Sequence, residues 1–137
     1  MIEETLVFIK PGAVRRKLVG EIINRFEHKG FDITAMRMLT LDDEMVHKHY
    51  GEHENTDYFE PLKKFIMSGP VVALVLRGRG AVNEVRKIVG ATDPQMADPG
   101  TIRGDYGLVK RHNVVHAADG HENAAREIKI FFPDYQK

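Results

Sequence analysis

The chain has no cysteine among its 137 residues, which excludes disulfides, thiolate nucleophiles and thiolate-bound zinc. It also has no net charge, since 20 basic residues balance 20 acidic ones. That balance, with no basic run, argues against a nucleic-acid surface and gives no general attraction to membranes. No apolar run approaches the length of a membrane span. The opening residues Met1-Ile2-Glu3-Glu4 lack the basic-then-apolar layout of a secretory leader. Repeats, low-complexity tracts and long linkers are absent as well. These features describe a cytoplasmic chain forming one domain over residues 1–137, large enough to bury a core without covalent staples.

The apolar pattern alternates between strands and helices. Leu6–Ile9 reads as a buried strand that Pro11 stops. Val19, Ile22, Ile23 and Phe26 follow helical spacing, with Gly30 as the C-cap and Glu21–Arg25 as an outer-face pair. Phe31 to Leu39 reads as a second strand with Phe31, Ile33 and Ala35 on one face. Asp42 or Asp43 starts a helix to Tyr50, and a further helix runs from Tyr58 to Ile66 until Ser68-Gly69-Pro70 ends it. Val71–Leu76 is a central strand, and Val82, Val85 and Val89 mark a helix closed near Gly90. Residues 91–111 are rich in Gly, Pro and Asp and read as a long irregular, functional segment. Val114-Val115 is a short strand, and Asp119 with Glu122 matches a capping box for a helix to about Lys129. The order predicts an α+β protein, a four-stranded antiparallel sheet of ferredoxin-like type covered by helices.

The segment Asn113-Val114-Val115-His116-Ala117-Ala118-Asp119 carries the chemistry. A neutral imidazole at a strand end, beside a helix start and a Gly-rich loop, is a competent nucleophile toward phosphorus. Such a ring needs one free nitrogen and an acceptor on the other; Glu127, on the helix that follows, is the candidate acceptor for His116. Lys10, Arg86 and Arg103 are cations at the edges of apolar elements, and Thr92 and Asn113 add neutral hydrogen bonds. Phosphoryl transfer asks for such a set, because it rests on positioning and charge stabilisation. Tyr50, Tyr58, Phe59 and Leu62 are candidates for stacking a base, with core packing the better reading of Phe59. There is no Walker-type loop, so a nucleotide must be held in another way. Asp105 and Asp119 are candidates for touching a metal carried in by a nucleotide, directly or through water. His47, His49 and His53 lie on or near one helix, and the four-residue spacing of His49 and His53 makes them a lesser candidate for zinc. A nucleophilic imidazole must be neutral, so a rate loss is expected below roughly pH 6.5 for an unperturbed ring.

Taken together, Ile9-Lys10-Pro11, Leu18-Val19-Gly20-Glu21-Ile22, Ser68-Gly69-Pro70-Val71-Val72-Ala73, Pro99-Gly100-Thr101-Ile102-Arg103-Gly104-Asp105 and Asn113-Val114-Val115-His116 resemble nucleoside diphosphate kinases. The resemblance covers essentially the whole chain. It implies a ping-pong reaction in which ATP phosphorylates His116, and the phosphohistidine passes the γ-phosphate to a nucleoside diphosphate. It implies Glu127 as the orienting carboxylate and Lys10, Arg86, Thr92, Arg103 and Asn113 as phosphate contacts. Tyr50 would lie near the histidine, His53 and Leu62 would line the cleft, and Tyr58 would stand where a phenylalanine usually stacks on the base. Mg²⁺ is expected with the nucleotide, with Asp119 as its possible protein contact. Broad base tolerance and a homo-oligomer, tetramer or hexamer, are implied too. Three departures accompany it. Ala117-Ala118-Asp119-Gly120 replaces Gly-Ser-Asp-Ser, Thr56-Asp57-Tyr58-Phe59 replaces Arg-Pro-Phe-Phe, and Gly12-Ala13 replaces Asp-Gly. The serine missing at Ala118 suggests a reduced rate, and motivates the competing reading of a nucleotide-binding module with weak or no transfer.

Overall fold

The computed structural model describes residues 1–136, with the backbone alone at position 111. Its four strands are Ile2–Ile9 (β1), Asp32–Leu39 (β2), Val71–Arg79 (β3) and Val115–Ala117 (β4). They form one antiparallel sheet in the order β2-β3-β1-β4. Seven α-helices accompany it: Pro11–Arg15 (α1), Val19–Lys29 (α2), Asp43–Tyr50 (α3), Phe59–Ile66 (α4), Ala81–Val89 (α5), Ile102–Tyr106 (α6) and His121–Phe131 (α7). This is the expected ferredoxin-like α+β arrangement. No helix among the described residues is long and apolar enough to cross a membrane.

The sheet is buried on both faces, and strand alternation sorts its side chains into two cores. Val7, Ile9, Val72, Leu74, Leu76, Val115 and Ala117 meet Ile22 and Phe26 of α2, Val85 and Val89 of α5, and Ile102 of α6. Leu6, Phe8, Val71, Ala73 and Val75 meet Val46 of α3, Phe59 and Ile66 of α4, and Ile128 and Phe131 of α7. Phe59 is therefore core, as its helical spacing suggests.

Several local expectations change. Pro11 ends β1 and also opens α1, where its missing N–H costs nothing because the first helical turn has no intrahelical acceptors for it. Ile33 and Ala35 do not share a face: a register irregularity between them sends Ile33 to the first core and Ala35 to the second. Asp119 does not cap α7, whose N-cap is Gly120 without a side-chain bond; its carboxylate accepts from Asn123 Nδ2 at 2.6 Å instead. The segment over 91–111 is less irregular than its composition suggests. It holds a 3₁₀ turn at Pro94–Met96 and all of α6, capped by the Thr101 hydroxyl accepting from Gly104 N–H at 3.0 Å.

Gly104 shows how tightly α6 is seated. A Cβ built there would lie 2.0 Å from the carbonyl oxygen of Asp98, which is backbone and has no rotamer to escape through. Gly20, in the first turns of α2, has nothing within 4 Å of the same position. Gly104→Ala is therefore expected to lower stability by about 1–3 kcal/mol. Gly20→Ala is expected to raise it by roughly 0.5–1 kcal/mol through helix propensity. Urea denaturation of the two variants checks both signs, and equal midpoints would contradict the seating of α6.

Candidate active site

His116 lies in the middle of β4, not beyond its end, directly across from Phe8 of β1. That register places the imidazole on the face of the sheet shared by Phe8, whose ring stacks on it at 4.9 Å with 26° between planes. On the other side of β4, Val115 and Ala117 point into the first core. The strand thus presents one polar side chain toward the helices α3 and α7. Helix α7 answers with Glu127: its Oε1 accepts from His116 Nε2 at 2.7 Å. Glu127 is 3% exposed. Its second oxygen has Arg126 Nη2 at 3.7 Å, and Arg126 in turn donates to the Lys48 carbonyl of α3 at 2.9 Å. With Nε2 engaged, Nδ1 of His116 is the nitrogen left to the cleft.

The cleft occupies about 290 Å³ and is lined by Lys10, Tyr50, His53, Leu62, Arg86, Thr92, Arg103, Asn113, His116, Asp119 and Glu127, together with His49 and Arg126. A larger groove of about 960 Å³ runs along α5 between Glu3 and Thr101, but it holds neither His116 nor Lys10. Volume therefore does not locate the chemistry here; the convergent nucleophile and cations do.

Buried hydrogen bonds hold the cations in place. Arg103 donates to the carbonyls of Asn113 at 3.2 Å, Gly90 at 3.1 Å and Val115 at 2.7 Å. Three of the five N–H groups of a guanidinium are thus spent on the frame, leaving two for an anion. Lys10 Nζ donates to Asn113 Oδ1 at 2.6 Å, and Asn113 Nδ2 donates to the Thr92 carbonyl at 2.9 Å. Arg86 Nη1 donates to the Ala117 carbonyl at 3.2 Å. The backbone between these residues is strained: Val114 has φ +79°, with Val115 N–H bonded to the Asn113 carbonyl at 2.9 Å in a γ-turn. A β-branched residue there is a true outlier, and such strain concentrates at functional sites.

Burial and crowding of like charge set the electrostatics. Desolvation first, then Arg103, pulls the Lys10 ammonium down to about 7. Desolvation, then Arg86, brings Arg103 down to about 10. The His116 ring is held well below its ordinary value by burial, then by Lys10, Arg103 and Arg86. Burial pushes the Glu127 carboxyl up to about 7 and the Tyr50 hydroxyl up as well. This is a site short of negative charge, with cations that gain by meeting an anion. The value near pH 6.5 applies to an unperturbed ring; here burial and then the neighbouring cations push it lower.

Tyr58 lies outside the cleft wall, with its hydroxyl 2.7 Å from His53 Nδ1. Asp105 is removed from the site altogether: it accepts from Gly100 N–H at 2.9 Å and pairs with Arg25 at 2.7 Å. His49 and His53 do not share a helix, since α3 ends at Tyr50 and His53 falls in the 3₁₀ turn Gly51–His53. His49 is buried, 4.6 Å from the His116 ring, whereas His53 sits at the cleft mouth. Sequence reasoning gave no role to Phe8 or Arg126. Period-two alternation from Lys10 marks Phe8 as sharing its face, but only the β1–β4 register brings it under His116. Ala118 is fully buried with Val82 and Ala124 in a small apolar cluster, so this chain packs methyl groups at that point.

A family model described as nucleoside diphosphate kinase matches residues 3–136. The chain is 54% identical over 134 residues to the nucleoside diphosphate kinase of Streptomyces avermitilis, covering 97% of this chain and 98% of that one. It is 50% identical over 134 residues to that of Methanocaldococcus jannaschii, covering 98% and 96%. Among solved structures it is similar to the Halobacterium salinarum nucleoside diphosphate kinase in complex with CDP. That match has a TM-score of 0.93 and 42% identity over 100% of this chain and 95% of that one.

The tautomer assigned to His116 can be checked directly. In the nucleotide-free protein on the alkaline side of the Glu127 titration, nitrogen-15 NMR of the imidazole should show a protonated Nε2 and a bare Nδ1. The ring should stay neutral as pH falls through 6.5, since burial and the neighbouring cations depress its affinity for a second proton. A His116 that titrates like an exposed histidine would contradict the geometry.

Proposed function

Since the chain belongs to the nucleoside diphosphate kinase family, and so catalyses ping-pong transfer of a γ-phosphate from a nucleoside triphosphate to a nucleoside diphosphate, we propose how its own residues divide that reaction. His116 is the nucleophile. The observation that supports the assignment is its 2.7 Å contact with Glu127: with the carboxylate accepting from Nε2–H, the Nδ1 lone pair is left for the cationic cleft. Nδ1 bonds the γ-phosphorus while the bond from that phosphorus to the β–γ bridging oxygen breaks. The ring gains positive charge as it does so, and the Nε2 proton is shared with Glu127. The diphosphate leaves, and a second nucleoside diphosphate takes the phosphoryl group by the reverse path.

Lys10, Arg86 and Arg103 stabilise the charge on the transferring group, with Thr92 and Asn113 adding hydrogen bonds. The anchoring of Arg86 and Arg103 to backbone carbonyls, and of Lys10 to the Asn113 side chain, supports this role, because donors fixed before substrate arrives need no reorganisation during transfer. Tyr50 completes the wall beside His116, and His53 and Leu62 flank the nucleotide at the mouth. Tyr58 stacks on the base, its ring steadied by His53. Broad base tolerance is part of the same proposal, with the base held by stacking on Tyr58.

Mg²⁺ enters with the nucleotide. Asp119 suits it: an exposed carboxylate on the cleft wall, with a lowered pKa from Asn123 and Arg86, offers one oxygen to an ion that keeps several waters. When bound, the ion neutralises phosphate charge. The whole of 1–137 acts as one kinase domain in the cytoplasm, as a homo-oligomer, tetramer or hexamer. The edge strand β2 supports self-association, since Met36 and Met38 are 58% and 62% exposed along it. Light scattering should return a multiple of 15.6 kDa.

Incubation with MgATP and GDP should yield GTP and ADP, through an acid-labile, base-stable phosphoenzyme labelled from γ-³²P-ATP. His116→Ala should abolish both label and exchange; normal turnover by that variant would overturn the assignment. The rate should fall as pH drops through the titration of the His116–Glu127 pair. Whichever partner takes the added proton, Nδ1 loses its lone pair: directly, or because a protonated Glu127 donates to Nε2 and the ring proton moves to Nδ1. Burial raises the carboxyl from its ordinary value toward about 7, so this limb should begin near neutrality. Glu127→Gln, which accepts the same hydrogen bond but does not titrate, should move the limb to lower pH. An unmoved limb would assign it to another group.

A further inference from the structure

The back of the catalytic cleft holds a cluster that phosphate transfer does not fully use. His49 of α3, His116 of β4 and Glu127 of α7 each offer a ligand atom, and these atoms lie within 4.8 Å of one another. His49 is only 6% exposed, and its Nδ1 is buried with no hydrogen-bond partner among the described residues. An orphaned nitrogen in a protein interior is uncommon and points to a missing ligand. All three residues line the open cleft, so an ion has a path to them.

We infer that His49, His116 and Glu127 form a binding site for a divalent transition ion of the zinc class, and that filling it switches the enzyme off. The donor chemistry selects the ion. Two imidazoles and one carboxylate suit Zn²⁺, with a water completing four-coordination, whereas Mg²⁺ prefers an all-oxygen shell. The magnesium carried by the nucleotide therefore does not compete for it. Both imidazoles are kept neutral by burial, so their lone pairs are available without first losing a proton. Metal–nitrogen distances near 2 Å require the ligand atoms to draw in by about an ångström. The partly exposed His116 ring has room to make that movement. Arg126 and Arg86 face the same carboxylate, countered by Asp119, and these cations keep the affinity below that of a structural zinc site.

Inhibition follows from proton placement and rests on His116 being the nucleophile. A neutral imidazole has one lone pair. With Glu127 accepting from Nε2–H, the lone pair is on Nδ1 and faces the phosphate. When the ion takes the Nε2 lone pair, the ring proton moves through solvent to Nδ1, and the attacking nitrogen is capped. No net proton is lost from the ring. A proton held by Glu127 is released when its oxygen joins the ion.

The test uses chelator-treated, magnesium-free protein and Co²⁺ as the probe, read by absorption, followed by Zn²⁺ calorimetry. Visible bands of four-coordinate Co²⁺ are expected, to be bleached by added Zn²⁺. His49→Gln should weaken Zn²⁺ binding at least about 10-fold, the lower end of what outer-shell partners alone contribute. His121→Asn, which removes a peripheral histidine paired with Glu3, should leave the bands unchanged. In exchange assays at saturating MgATP, Zn²⁺ should inhibit the parent protein at the concentration that fills the calorimetric site, and inhibit His49→Gln only at higher concentration. Circular dichroism and thermal melting confirm that His49→Gln is folded; if it is not, Glu127→Gln serves in its place. Absence of the Co²⁺ bands, equal Zn²⁺ affinity in His49→Gln, or binding without inhibition would each overturn the inference. Loss of exchange in His116→Ala with no Co²⁺ bands in the parent would sink the metal site alone. Normal exchange by His116→Ala would sink the nucleophile, while the Co²⁺ readout would still decide whether the ion binds.

Discussion

One hydrogen bond organises the site: the imidazole N–H of His116 on the buried carboxylate of Glu127. Neither partner is at ease without the other. A carboxylate taken out of water is costly unless it is paired, and hydrogen bonds to charged groups contribute about 1.5–3 kcal/mol. The pairing also decides which ring nitrogen is free, and that decides whether the lone pair faces the cationic cleft or the protein interior. Phe8 beneath the ring and α7 behind it set the plane in which the imidazole lies.

Around that bond the chain holds cations that repel one another. Arg86 and Arg103 are kept in place by the backbone carbonyls of Gly90, Asn113, Val115 and Ala117, and Lys10 by the Asn113 side chain. Burial first, and then their mutual repulsion, lowers the proton affinity of Lys10 and Arg103. A polyphosphate relieves it. The strained turn at Val114 belongs to the same design, because it swings the Asn113 side chain between Lys10 and the Thr92 carbonyl while β4 starts at the next residue. The rigidity of α6, seated too closely to accept a methyl group at Gly104, extends this support to Arg103.

Much of the fold was legible from pattern. Val71–Leu76 is apolar without a break and occupies a central strand, and Val82, Val85 and Val89 repeat at helical spacing on α5. Ile33 and Ala35 were misread because a bulge breaks period two without a mark in the side chains themselves. Asp119 was misread as a cap because Asn123 competes for the same carboxylate. The residues of α6 were hidden because its five-residue length is too short for periodicity to register. At the site, every residue the resemblance picked out except Tyr58 lines one cleft. Reading the residues singly misplaced Asp105, which ties α6 to Arg25, and offered His49 only a zinc site with His53.

The order of elements, the two-sided burial of the sheet and the residue types available for phosphate chemistry were written in the chain itself, because periodicity and side-chain chemistry are local properties. The partner of each group was not. Phe8 meets His116 through a strand register 108 residues apart in sequence, and Glu127 and His49 reach the same ring from helices on either side of it. Proton affinity, tautomer and the orphaned nitrogen of His49 arise from burial and proximity, which exist only once the sheet has closed and the helices have packed.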